Sequence, residues 1–159
     1  MRNVIIAGLL GGLAGGAVVG GIFGLFGRGA AYASAAPDAS AKAIPEALMN
    51  KIKAGDMESF ASASRGYMYT IPDAEFAVFR ANLNDFREQC AKSYGKSLGE
   101  FELIREQSAG PTAGRLIYLE KFEKGGVAWY FQMYHSTDGW KLASVHWDRT
   151  LNLAFTGSP

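Results

Sequence analysis

From Val4 to Gly27 the chain passes through 24 consecutive apolar or glycine positions, and no charged residue stands between Arg2 and Arg28. Built as a helix at about 1.5 Å per residue, that run reaches roughly 36 Å, enough to cross a hydrocarbon layer about 30 Å thick with some tilt. A cleaved secretory signal is the competing expectation. Arg2 supplies its basic start, and Ala33-Ser34-Ala35 before Ala36-Pro37 offers small residues for cleavage. Length favours a retained anchor, because signal cores run about 7 to 15 residues and Arg28 stands before the cleavage site. Residues 1–28 are therefore read as a glycine-rich transmembrane or signal helix.

The nine glycines of this run include Gly8, Gly12, Gly16, Gly20 and Gly24 at intervals of four. On a helix they line one smooth stripe, along which a second backbone in lipid approaches closely enough for dispersion contacts to hold it. The expected contact is another transmembrane helix, from a copy of this chain or from a partner. Basic flanks are nearly balanced, and an exported C-terminal domain is the orientation expected.

Residues 29–42 are mostly Ala, Ser and Gly, which bury too little area to offset the entropy of being fixed, and read as a tether. A domain spanning 43–159 follows. From Gly29 onward 14 Lys plus Arg face 15 Asp plus Glu, so no net positive field recruits nucleic acid. Cys90 is the only cysteine, which excludes an internal disulfide and paired-thiol zinc spacings.

Pro45 at a first turn, then Ala47, Leu48, Ile52 and the stop at Gly55, predict a short helix. Asp56 caps a second, running through Phe60. Pro72-Asp73 opens the longest helix, ending at Gly95, with Phe76, Phe79, Leu83, Phe86, Cys90 and Tyr94 on one stripe. Phe101–Gln107, Arg115–Glu123, Val127–Ser136 and Trp140–Arg149 carry the β-branched and aromatic content of strands separated by turn signals. The expected fold is α+β, helices on a four-stranded antiparallel curved sheet. With Asp138-Gly139 as a two-residue turn, His135 would pair with Leu142, Phe131 with His146 and Trp129 with Asp148. That register places Glu120, His135, His146 and Asp148 on the face meeting the helices. Tyr130, Tyr134, Val145 and Trp147 then fall on the other.

Helix, helix and meander, with Ile52-Lys53-Ala54-Gly55-Asp56 after the first helix and Asp138-Gly139-Trp140-Lys141-Leu142 entering the last strand, resemble the cystatin-like and nuclear-transport-factor-like superfamily over about 43–155. The resemblance implies a curved sheet wrapped on a long helix, often dimeric through the sheet, sometimes with a pocket between them. It includes enzymes, ligand binders and interaction modules, so it assigns no activity.

His146 and Asp148, with Glu120, are the weak catalytic candidates. A pocket enzyme would use a desolvated carboxylate or imidazole to move a proton, whereas a satisfied histidine at the core edge accounts for the same residues. A metal at His135, His146 and Asp148 is disfavoured by their separation along the hairpin, and no cofactor is expected. Tyr130, Tyr134, Val145 and Trp147 carry more aromatic area than a wetted face should show, so a protein neighbour is expected there. The alternative cover is the segment around Tyr67 to Ile71. The leading expectation is a membrane-anchored, non-enzymatic binding or scaffolding subunit with a protein partner or second copy. The alternative is an exported domain that binds a small molecule or acts as a minor pocket enzyme.

Overall fold

Capping and stop residues set the helices in the computed structural model, which describes residues 39–68, 70–151 and 155. Helix α1 spans Ala39–Lys53 and runs through Pro45. It therefore begins six residues before the proline, inside the stretch expected to be tether. Ala and Lys there are strong helix formers, and Ala41 is fully buried, so the helix gains a packed first turn. Gly8, Gly12, Gly16, Gly20 and Gly24, with the rest of the apolar run, lie outside the described residues. No helix among the described residues is long and apolar enough to cross a membrane.

Asp56 accepts a hydrogen bond from the Ser59 backbone N–H at 2.9 Å and opens α2, Met57–Tyr67, which continues well past Phe60. Hydrogen bonding from the Ser59 side chain, and then from its backbone N–H, holds the Asp56 carboxyl below its ordinary pKa. Arg65 closes the corner to the next helix by donating to the Ile71 carbonyl and to Asp73 while its guanidinium lies over the Phe76 ring. Helix α3 spans Asp73–Tyr94 and stops at Gly95, whose φ of 78° is in the left-handed region that favours glycine. Its buried residues are Phe76, Phe79, Leu83, Phe86 and Cys90, five of the six positions expected from the spacing, and the sixth, Tyr94, packs partly buried against the same core.

The strands are β1 (Ser97–Ser108), β2 (Ala113–Phe122), β3 (Gly125–Ser136) and β4 (Gly139–Asp148), antiparallel in the order β1-β2-β3-β4. Three helices thus pack on one face of a four-stranded meander. Trp129 is the hub of that layer. Its ring centroid lies 5.3 Å from Phe60, 6.0 Å from Phe86 and 5.7 Å from Trp147. At the far end Tyr94 donates to the Arg149 carbonyl at 2.9 Å, and its ring lies so close to Gly125 that any Cβ there would stand 2.7 Å from it.

The β3–β4 hairpin departs from the expected register. Ser136 pairs with Gly139, leaving Thr137 and Asp138 as the turn, so His135 meets Trp140 and Met133 meets Leu142. Gly139 has φ 97° but pairs as the first residue of β4. A bulge at Ala143 then inserts one residue, so that Phe131 pairs with Val145 and Trp129 with Trp147. One extra residue exchanges the two faces of everything beyond it. Val145 and Trp147 consequently join the core under the helices, while Ser144, His146 and Asp148 move to the outer face.

Candidate functional site

Of the expected acid-base group, only Glu120 faces the helices, and it is committed there. The carboxylate is 2% exposed. Arg87 of α3 donates from Nη1 to Oε1 at 2.9 Å and Oε2 at 2.7 Å. Trp129 Nε1 donates to Oε2 at 3.0 Å, and the Ser97 hydroxyl to Oε1 at 2.7 Å. Both oxygens are occupied by groups from α3, β1 and β3. Such a carboxylate anchors helix to sheet and presents no lone pair to a substrate.

His146 and Asp148 lie on the opposite side of the sheet from Glu120, so the expected trio does not assemble. Asp148 accepts from the backbone N–H and the hydroxyl of Thr150, both at 2.9 Å. His135 stands at the hairpin tip, edge-on to Trp140 at 5.1 Å. Burial, and secondarily the Arg115 charge, lower the His146 pKa. A folded state that resists protonation binds fewer protons than the unfolded chain, so this contribution is present above about pH 6.5 and is lost as pH falls from there through the folded value. The His146→Gln protein is therefore expected to lose less stability than the parent between neutral and mildly acidic pH, as read by urea unfolding. Equal losses would contradict it.

The outer face is ordered in rows, because directly paired residues on neighbouring strands share a side. One row is Glu102, Leu119, Ala128 and Asp148. The next is Arg105, Ile117, Tyr130 and His146, then Gln107, Arg115, Gln132 and Ser144, and last Ala113, Tyr134 and Lys141. The four aromatic-face candidates are therefore divided. Tyr130 and Tyr134 remain outside, whereas Val145 and Trp147 are inside.

Tyr130 is itself covered. It forms a small second core with Ile117 and Ala128, against which Leu151 packs. Leu151 reaches that position with φ 59°, a left-handed conformation costly for a leucine, at the point where the chain leaves β4. Arg105 donates to the carbonyl of Phe155 at 3.3 Å. Cover thus comes from residues after β4. Tyr67, Met68 and Ile71, the expected alternative, pack into the helix-side core instead. Beneath Leu151 the Tyr130 hydroxyl is buried without a hydrogen-bond partner among the described residues, and burial pushes its pKa up to about 12.

Beyond Tyr130 the face opens into a concavity of about 430 Å³ whose lining includes Gln107, Ala113, Arg115, Gln132, Tyr134 and Ala143. Ser144 donates to the Gln132 carboxamide oxygen at 2.8 Å. Tyr134 is 44% exposed. Sequence reasoning placed Tyr134 on this face but missed the polar row as a unit, since the place of Ser144 in it depends on where the bulge falls. Cys90 is fully buried on the other side of the sheet, where burial pushes its thiol pKa up to about 11, far from that of a reactive nucleophile. Comparison with protein-family models, curated proteins and solved structures finds no match to this chain.

Proposed function

We propose that this chain is a membrane-tethered binding module, non-enzymatic, whose recognition surface is the open half of the outer sheet face. The concavity beside Tyr134 carries this reading. It joins hydrogen-bonding side chains to an exposed aromatic ring on a rigid sheet, a composition suited to recognition. Commitment of Glu120 to four hydrogen bonds, and its separation from His146 and Asp148, removes the motive for a proton-transfer site between helices and sheet.

In this reading the run from Val4 to Gly27 stays in the bilayer, Gly8 to Gly24 face a neighbouring helix, and the α+β domain is exported. The cystatin-like resemblance belongs to the same proposal, as a fold that often serves binding. Intact-mass measurement of the native protein tests the tether, with Met1–Ala35 expected to be present and a start near Ala36 overturning it. A photo-crosslinking amino acid at Tyr134 tests the surface, against a control at Glu88 on the exposed side of α3. Adducts are expected from position 134 and not from 88. Equal yields, or none at 134, would overturn the assignment.

A further inference from the structure

We propose that the edge of β1 pairs antiparallel with β1 of a second copy of this chain, the two-fold axis passing between Leu103 and Ile104, so that Glu102 of each copy faces Arg105 of the other. The contact uses the edge of the sheet rather than the outer face beside Tyr134, and it stands without the binding reading above.

Topology leaves this edge available. In the order β1-β2-β3-β4 the two edges are β1 and β4. Met68 bridges in parallel to Leu142 and so takes part of the β4 edge, whereas no segment among the described residues pairs with the outer edge of β1. A strand of 12 residues presents a long row of backbone donors and acceptors, a template for a further strand.

Apolar exposure is concentrated on the same strand. Of the six large apolar residues left exposed among the described residues, Leu98, Leu103 and Ile104 all belong to β1. Helix α1 lies against β1 at Glu106, which pairs with Lys42, and at Gly99, beside the Lys53 carbonyl. Between those points Leu103 and Ile104 remain 36% and 39% exposed. Burying them at the centre of a strand pair removes that apolar area from water.

The β1 bulge argues for a second copy as the occupant. Leu103 pairs with Tyr118 and Arg105 with Ile117, so Ile104 is one residue too many. Against a regular strand the extra residue would throw the two sides out of step. Two copies that meet with their extra residues at the axis keep the flanking pairs matched. Glu102 and Arg105, which pair with Leu119 and Ile117, then face each other on the outer side. Phe101 and Glu106, which pair with Glu120 and Leu116, do so on the helix side.

Charge selects the same register. By symmetry the Glu102 to Arg105 match occurs twice, once on each side of the axis. An axis centred on Glu102, Arg105 or Glu106 would instead set like charges directly opposite one another. Within its own copy Glu102 reaches Lys121 at 3.2 Å and Arg105 donates to the Phe155 carbonyl at 3.3 Å, both at exposed positions. Two carboxylate oxygens and five guanidinium N–H donors have capacity for a further partner beyond these.

The test uses the full chain in mild detergent, read by native mass spectrometry. The parent is expected to show dimer at about 100 μM. Glu102→Arg sets arginine against Arg105 of the other copy, and Arg105→Glu sets glutamate against Glu102, each on an exposed side chain whose replacement should leave the unfolding midpoint unchanged. Mixed in equal amounts, the two variants carry opposite charges at both facing positions. Their heterodimer is expected at least about tenfold above its statistical proportion to the two homodimers. The double variant Glu102→Arg/Arg105→Glu should return to the parental amount of dimer, and parent mixed with Glu88→Arg on α3 should give statistical proportions. No parental dimer at about 100 μM would overturn the proposal. So would statistical proportions in the charge-swapped mixture, which is the result expected if copies associate through Gly8 to Gly24 alone, and so would a double variant that does not recover the dimer.

Discussion

Glu120→Ala is expected to destabilise the domain by about 3–5 kcal/mol, because it leaves a partly buried guanidinium and a buried indole N–H without acceptors. Arg87 retains 18% of its side-chain exposure beside the 2% of Glu120, so water does not replace the lost carboxylate well. Trp129 sits at the centre of the helix-side core and has no other hydrogen-bond acceptor among the described residues. The size of the effect comes from stranding the donors more than from losing the ion pair. Replacing Glu120 and Arg87 together with apolar residues of similar volume should therefore cost much less than Glu120→Ala alone. Urea unfolding of the single and double variants decides this. A loss below about 1 kcal/mol in Glu120→Ala would mean that the cluster does not anchor α3 to the sheet.

Trp147→Ser and Tyr134→Ser form the second contrast. Both are aromatic residues on the outer hairpin, and simple alternation puts them on one face. In the folded chain Trp147 stacks among Phe79 at 5.8 Å, Phe86 at 5.4 Å and Trp129 at 5.7 Å, whereas Tyr134 is 44% exposed. Emptying the first site should cost about 3 kcal/mol or more, through lost transfer energy and the cavity left behind. Removing the second should stay within about 0.5 kcal/mol of the parent. Comparable losses would show that the register of β4 beyond Ala143 is not the one described. Loss of a partner in Trp147→Ser would report unfolding rather than recognition, which is why the test of the outer face belongs at Tyr134.

How much was legible in advance follows from the range of the interaction involved. The Asp56 cap and the stop at Gly95 are settled within a few residues of themselves, and both are read directly. The α3 stripe needs only the helical period: of its six expected members Phe76, Phe79, Leu83, Phe86 and Cys90 are buried, and Tyr94 is partly buried against the same core. Alternation also assigns the faces of β2 and β3, but it leaves their register open, and the pairing of Leu116 with Phe131 and Tyr118 with Trp129 is fixed only in the folded sheet. The site was less legible. Asp138-Gly139 carries a strong turn signal, yet the turn forms one residue earlier, and nothing local to Ala143 marks it as the bulged position. Arg87 was likewise silent, being one exposed-looking arginine on a helix until the sheet brings Glu120, Ser97 and Trp129 to it.

The amino-acid sequence alone determined the α+β class, the order of helices and strands, the core stripe of α3 and the exclusion of an internal disulfide and of paired-thiol zinc spacings. Those properties depend on period, capping and composition, which act along the chain. Only tertiary structure decided which side of β4 carries His146 and which carries Trp147, that Leu151 covers Tyr130, and that Gln107, Arg115, Gln132 and Ser144 form one row. A bulge is chosen by the packing it permits on both faces at once. Here the fit of Val145 and Trp147 beneath the helices selects it, and the polar row on the other side is the consequence.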